Sequence, residues 1–215
     1  AGLSAGRLAA FASLAIPIYA AQMPLGVYLP AIYAQFPGLS LTLIGAIFLA
    51  ERIWGTVADP LVGALSDRTR SRFGARRVWI VAGAALYAVS GVALFFPPAH
   101  VSVGYLTLAL FAFYLGSSMI QIPYLAWSGE ISGDYHERTR VATYVSVAGA
   151  TALLLVLILP TIIDQLRPDD GALKLAAMGG VILITLALAL PLALRAFPDQ
   201  SGARQVPGPR RSLRS

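Results

Sequence analysis

The sequence predicts an all-α integral membrane protein, a polytopic bundle of six transmembrane helices. Of its 215 residues, 57% are hydrophobic and only 12% are charged, and the mean hydropathy is +0.72. The apolar residues form long runs separated by short polar segments, and a helix needs about 20 residues to cross the hydrocarbon core. Because helices satisfy their own backbone hydrogen bonds in lipid and open sheets do not, we expect every run to be helical.

We expect a six-helix bundle over residues 1–195 and a disordered, basic cytoplasmic tail over residues 196–215, rich in Pro, Gly, Ser and Arg. The predicted spans cover approximately residues 8–36, 41–65, 78–96, 103–127, 141–163 and 172–194. Span one contains Pro17, Pro24 and Pro30, which remove backbone donors and kink a helix. Spans that line a cavity tolerate such prolines because neighbouring helices satisfy the freed groups.

Short polar segments mark the ends of the other spans. Residues 37–40 (Pro-Gly-Leu-Ser) predict a tight external turn in which Ser40 caps span two. An arginine-rich loop precedes span three, and two prolines at 97–98 follow it. Polar segments at 130–140 and 164–171 flank span five.

The distribution of positive charge predicts that both termini lie in the cytoplasm of a bacterial-type inner membrane. In a six-span arrangement, Arg167 and Lys174 lie on one side of the membrane and the other Arg residues lie on the opposite side. Arg52 is the exception, because it falls within span two. The loop arginines, which include Arg70 and Arg72, share one side with the tail. The positive-inside rule makes that side cytoplasmic, so the net charge of +6 reports topology and not a nucleic-acid partner.

Several classes of function are not expected from this sequence. The chain has no Cys and only two His, His100 and His136, both in predicted loops and without ligand spacing, so we expect no metal site. There is no pairing of nucleophile and base and no phosphate-binding loop, so we expect neither an enzyme nor a cofactor.

A pattern between spans two and three combines small, acidic and basic residues. Its members are Gly63, Asp67, Arg68, Gly74, Arg76 and Arg77. An Asp at a helix end can accept hydrogen bonds from arginines or from a neighbouring helix N-terminus, and Gly permits close helix contact. The alternative is that these charged residues only set the orientation of the helices in the membrane and take no part in a conformational change.

These residues resemble the loop signature of the major facilitator superfamily. The stretch from Arg52 to Trp79, and the run Ile122-Pro123-Tyr124 with the polar loop after it, are similar to the glycoside–pentoside–hexuronide:cation symporter (melibiose permease-like) branch. The resemblance covers approximately residues 7–197 and implies the amino-terminal half of a twelve-span transporter. It also implies that the substrate lies between two halves and that the loop signature acts as a cytoplasmic gate.

Span two carries a polar face. Glu51, Gly55 and Asp59 are spaced at four-residue intervals and therefore share one side of a helix, with Arg52 beside them. Carboxylates among apolar neighbours can exchange protons, or hold Na⁺ when further oxygen ligands are present. The alternative is an internal pair of Arg52 with Glu51 or Asp59 that only neutralises charge.

The resemblance bears on which ion the carboxylates of span two would bind. Relatives in the branch build a cation site from two acidic residues and an Asn on span two and an Asp on span four. The matching positions here hold Gly55, Asp59, Ala58 and Gln121, so only Asp59 keeps its carboxylate. We therefore expect a proton, not Na⁺, as the coupling ion, with Glu51 assisting.

The remaining candidates lie on spans one and four. Gln121 and Tyr124 suit hydrogen bonding and stacking to a sugar-like solute, and Tyr19 and Gln22 are candidate cavity residues. A tyrosine that anchors the helix at the membrane interface is the alternative, and we expect it for Tyr33.

Two hypotheses of function remain open. The first is secondary active transport of a sugar or glycoside by alternating access, with the lipid bilayer, a solute and a second six-helix half as partners. That half would come from a homodimer or a separate chain. The second is a non-transporting accessory or structural subunit of a larger membrane complex.

Overall fold

The computed structural model describes residues 4–69, 71, 74–131, 135–167 and 170–196. The helices are α1 (Ala5–Ala12), α2 (Ala15–Ala20), α3 (Leu29–Tyr33), α4 (Leu41–Arg68), α5 (Ala75–Phe95), α6 (Val103–Glu130), α7 (Tyr135–Leu166) and α8 (Gly171–Ala196). A π-helical turn, Pro24–Tyr28, precedes α3. The predicted tail from residue 197 onward, and the loop residues Arg70 and Arg72, lie outside the described residues.

The predicted six-span, all-helical fold is confirmed. Within the described residues, six helices are long and apolar enough to cross a membrane. They are Ala5–Tyr33, Leu41–Arg68, Arg76–Phe95, Val103–Gly129, Tyr135–Leu166 and Gly171–Ala196. Several extend beyond their predicted bounds because hydropathy detects only the part in hydrocarbon, whereas a helix continues through polar residues into the headgroup region. Asp67 and Arg68 are therefore in the last turn of α4 and not in a loop.

The first span is broken into short segments. Ser13 and Leu14 interrupt it after α1, and the π-helical turn begins at Pro24. Each proline lacks the N–H that would continue the hydrogen-bond ladder, and π-turns inside helices often mark functional sites. The interrupted span is the most deeply packed of the six, with 61% of its apolar window buried in the bundle.

Helices α5 and α6 pack at close range through glycines. A Cβ atom on Gly83 would lie 2.7 Å from the Met119 Cβ, and one on Gly116 would lie 2.6 Å from the Tyr87 backbone nitrogen. Such distances are shorter than van der Waals contact, so both positions require glycine. The close approach places Tyr87 and Phe113 in contact, with ring centroids 4.1 Å apart.

The second span exposes an apolar stripe. Its exposed large residues at four-residue spacing are Leu49, Ile53, Val57, Leu61 and Leu65. Only 22% of the apolar window of α4, and of α7, is buried in the bundle. These two helices are thus the most accessible to lipid or to further helices.

Replacing Gly116 with Ala is expected to lower the stability by about 1–3 kcal/mol, because the added methyl group forces the α5 backbone to move. The loss is measured as a lower midpoint of thermal unfolding in mild detergent. Gly104→Ala, on the same helix, is the matched control because nothing lies within 4 Å of its Cβ position. Equal effects of the two substitutions would contradict the close packing.

Candidate functional site

A polar cavity of about 740 Å³ lies between the first span, α4 and α6. Its polar and charged lining residues include Gln22, Glu51, Arg52, Asp59, Ser118 and Gln121. Aromatic rings of Phe48, Phe113 and Tyr114 complete the wall. A concave site with a few converging polar groups among apolar walls is typical of small-molecule binding.

The polar face of α4 forms one wall of this cavity, as the four-residue spacing predicts. Glu51, Gly55 and Asp59 all line it, together with Arg52. The Glu51 side chain is buried, at 4% exposure, and its Oε1 lies 3.8 Å from the position that a Cβ on Gly55 would take. The glycine thus leaves room for the carboxyl group. Within the described part of the chain, Glu51 Oε2 has no hydrogen-bond partner.

Asp59 is joined to α6 by a hydrogen bond. The Ser118 hydroxyl donates to Asp59 Oδ1 at 2.6 Å, which links the second and fourth spans across the cavity. Among the described residues, Arg52 forms an ion pair with neither Glu51 nor Asp59, so the internal pairing considered from the sequence is absent from these residues.

Ser118 and Tyr114 were not predicted as site residues. Ser117 and Ser118 follow Gly116, and a run of small residues predicts helix packing more readily than binding. The signal that could have identified Ser118 is its position three residues before Gln121, which places both on one face of α6. Tyr114 precedes Ser118 by four residues and lies on the same face.

The structure places two predicted site residues away from the cavity. Tyr124 is buried, its hydroxyl donates to the Phe11 carbonyl at 3.1 Å, and its ring stacks on that of Phe11. Tyr19 packs against α7, where its ring lies 3.0 Å from the Cβ position of Gly149. Neither residue lines the cavity, because the rotation of each helix turns the tyrosine toward a neighbouring helix.

Tyr33 also corrects an expectation. It was expected to anchor the first span at the membrane interface, yet its side chain is fully buried. Its hydroxyl donates to the Leu94 carbonyl at 2.7 Å and so joins the end of the first span to α5. Leu94 lies in the last turn of α5, where carbonyl groups have no partner within the helix, so the buried Tyr33 hydroxyl satisfies one of them.

The residues of the loop signature between the second and third spans, called the gate motif from here on, lie near the point where α4 ends and α5 begins. They are Gly63, Asp67, Arg68, Gly74, Arg76 and Arg77. Gly74 has φ +94°, a left-handed conformation that favours glycine, and it precedes α5 directly. In the first turn of α5, Arg77 Nη2 donates to the Leu194 carbonyl at the end of α8. Asp67 and Arg68 are exposed in the last turn of α4.

Two further contacts hold this corner. The Trp79 indole N–H donates to Thr69 Oγ1 at 2.8 Å, which joins the end of α4 to the start of α5. Within α4, Gly63 faces α6, where Ile122 Cγ2 lies 3.7 Å from the Cβ position of Gly63. Arg77 of the motif thus connects α5 to the end of α8, and Trp79 and Thr69, which flank the motif residues, connect α4 to α5.

The hydrogen bond between Ser118 and Asp59 is expected to couple the two residues by about 1–2 kcal/mol in a double-mutant cycle of Ser118→Ala and Asp59→Ala. The measurement is reversible unfolding in mixed micelles. Ser128→Ala is the matched control, because among the described residues that hydroxyl bonds within its own helix, to the Leu125 carbonyl. A coupling as small as that of Ser128 with Asp59 would show that the contact contributes nothing.

Comparison with known proteins identifies the family. The family described as MFS/sugar transport protein matches residues 10–205. The uncharacterized symporter sll1374 of Synechocystis sp. is 30% identical over 179 residues, which are 78% of this chain and 33% of that protein. YagG of Escherichia coli, assigned as a glycoside/cation symporter, is 31% identical over 162 residues, 71% of this chain and 35% of YagG. The inner membrane symporter YicJ of Escherichia coli is 26% identical over 184 residues, 84% of this chain and 40% of YicJ.

The chain therefore spans 33 to 40% of the length of these curated relatives. The family match runs from within the first span to beyond the sixth, so it includes the cavity and the gate motif. On this evidence the chain belongs to the MFS/sugar transport family and is similar to the amino-terminal six-helix half of its glycoside–pentoside–hexuronide:cation symporters.

Proposed function

We propose that this chain supplies the amino-terminal half of a secondary active symporter that carries a sugar or glycoside across a bacterial inner membrane. The observation that carries the proposal is the cavity of about 740 Å³, in which two carboxyl groups and a guanidinium group share one face of α4. Ionisable groups inside a membrane are costly, and they commonly mark the path of a substrate or ion. The substrate class and the membrane are supported by relatives that are assigned as a glycoside/cation symporter and an inner membrane symporter.

Some cavity residues suit binding of the solute, and others suit binding of the coupling ion. The amide groups of Gln22 and Gln121 and the guanidinium of Arg52 offer hydrogen-bond donors to sugar hydroxyls. Aromatic rings in the wall suit the apolar faces of a sugar ring. Asp59 carries the coupling proton, with Glu51 assisting from one side and the Ser118 hydroxyl from the other.

A proton is favoured over Na⁺ by the loss of acidic ligands at the positions that the resemblance assigns to the cation. Na⁺ needs several oxygen atoms around it, whereas a proton needs only one carboxylate. Gly55, Ala58 and Gln121 occupy the positions at which the resemblance places further cation ligands, so Asp59 alone keeps its carboxylate there.

Alternating access requires a second wall. The cavity has walls from the first, second and fourth spans, and we propose that a second six-helix half covers its open side. The gate-motif residues at the end of α4 and the start of α5, with their contact to α8, close the cytoplasmic side in one of the two states. The symporter relatives favour transport over the accessory-subunit hypothesis.

Asp59→Asn is expected to abolish concentrative uptake by the transporter assembled with its second half, because the amide cannot exchange a proton. At a membrane potential of about 100 mV, one coupled proton contributes about 2.3 kcal/mol, which corresponds to roughly 50-fold accumulation of a neutral sugar. In the variant this ratio falls to about one, while exchange of labelled for unlabelled sugar continues. Uptake into membrane vesicles at several external pH values measures both quantities.

Asp164→Asn is the matched control. Asp164 is half exposed at the end of α7, where it pairs with Lys174, far from the cavity lining. It should keep the accumulation ratio and pH dependence of the parent protein. If Asp59→Asn also kept both, Asp59 would not carry the proton.

Cysteine labelling is expected to place both termini in the cytoplasm. The chain has no Cys, so Gln35→Cys and Gly129→Cys each introduce a unique thiol at an exposed position. A membrane-impermeant maleimide added to intact cells should label Gln35→Cys, between spans one and two, and should label Gly129→Cys only after permeabilisation. The reverse pattern would invert the proposed topology.

A further inference from the structure

Two buried tyrosines bind backbone carbonyls of the broken first span. The Tyr87 hydroxyl on α5 donates to the Pro17 carbonyl at 2.8 Å, and the Tyr124 hydroxyl on α6 donates to the Phe11 carbonyl at 3.1 Å. Both tyrosine side chains are almost completely shielded, at 0% and 2% exposure. Neither hydroxyl lines the cavity, so neither contacts a bound solute there.

The Pro17 carbonyl lies in the last turn of α2, just before the first span is interrupted at Ala21. Water is absent from the bilayer core, and a carbonyl there that lacks a hydrogen bond is costly. The Tyr87 hydroxyl gives this carbonyl a hydrogen bond from a neighbouring helix.

The position of this carbonyl ties it to the cavity. Ile18 follows Pro17 directly and lines the cavity, as do Ala21 and Gln22 one turn later. Tyr19, three residues before Gln22, packs instead against Gly149 of α7. A rotation of residues 15–23 about the helix axis would therefore bring Tyr19 to the cavity surface in place of Gln22.

The donor stands on a rigid base. The glycine contact between α5 and α6 holds the Tyr87 backbone against Gly116, and the Tyr87 ring packs on Phe113, which itself lines the cavity. One side chain thus connects the α6 wall of the cavity to the first-span wall.

We propose that Tyr87 is a positioning residue for the cavity: by holding the Pro17 carbonyl, its hydroxyl fixes the orientation of residues 15–23 of the first span, in which Gln22 faces the cavity and Tyr19 faces α7. Tyr124 supports the same orientation from the preceding segment through Phe11. The inference rests on the proposed function only in giving the cavity a solute, because the orientation of the first span can be measured without transport.

The test uses Gln22→Cys and Tyr19→Cys as single reporters in this cysteine-free chain, each in the transporter assembled with its second half. The rate of alkylation by a small water-soluble maleimide reports access to the cavity. With Tyr87 intact, Gln22→Cys should react faster than Tyr19→Cys. Tyr87→Phe should reduce the ratio of the two rates by roughly tenfold, because loss of the hydrogen bond to the Pro17 carbonyl releases the segment to rotate.

Tyr33→Phe is the matched control. It removes a buried hydrogen bond of the same kind, from the first span to the Leu94 carbonyl of α5, at a site that does not line the cavity. Its thermal midpoint should fall by a similar amount while the alkylation ratio stays unchanged. An unchanged ratio in Tyr87→Phe, or equal changes in both variants, overturns the inference and leaves only a structural hydrogen bond.

Two further measurements complete the test. If Tyr87→Phe fails to fold, Tyr124→Phe is measured with the same reporters, and an unchanged ratio in that variant overturns the inference. In transport assays, Tyr87→Phe should raise KM for sugar more than it lowers the maximal rate. A transporter that moves no sugar but shows the predicted alkylation change would refute the proposed function and leave this inference intact.

Discussion

Every polar group of the backbone inside a bilayer needs a partner within the protein, and the organisation of this bundle depends on how that requirement is met. Three prolines in the first span remove three donors and break it into short segments. Tyr87 and Tyr124 from neighbouring helices then donate to carbonyls of the broken span, and Tyr33 of that span donates to a carbonyl at the end of α5. The breaks are therefore stabilised from outside, and the shape of the first span depends on helices α5 and α6.

The same requirement explains the second span. Its charged residues lie on the side that faces the cavity, and its opposite side is a stripe of exposed apolar residues. Asp59 has a hydroxyl partner on α6, whereas Glu51 is buried beside a glycine that makes room for it. Groups that would be unfavourable in lipid are thus gathered where a solute and an ion can reach them, which is the physical basis of the proposed transport path.

The end of the bundle at which α4 meets α5 joins elements that are distant in sequence. Arg77 at the start of α5 binds the carbonyl of Leu194 at the end of α8, and a cation at a helix C-terminus is favoured by the helix dipole. Trp79 and Thr69 connect α4 to α5 in the same region. A movement of the segment between α4 and α5 would therefore be transmitted to the sixth span, which is the physical basis of the proposed gate.

The sequence by itself determined the six spans, their approximate limits, the polar face of α4 and the family, because hydropathy, four-residue spacing and loop motifs are local properties. Helix ends were placed less well, since α4 and α7 continue through polar residues beyond the hydrocarbon. Only the tertiary structure decided which side chains of the first and fourth spans face the cavity. Helix α6 is apolar almost uniformly around its axis, so no periodicity indicates its buried face, and the proline breaks remove the regular periodicity of the first span. For this reason Ser118 lines the cavity although the sequence did not single it out, and Tyr19 and Tyr124 do not line it although they were expected to. The rotation of each helix is set by contacts with residues far away in the chain.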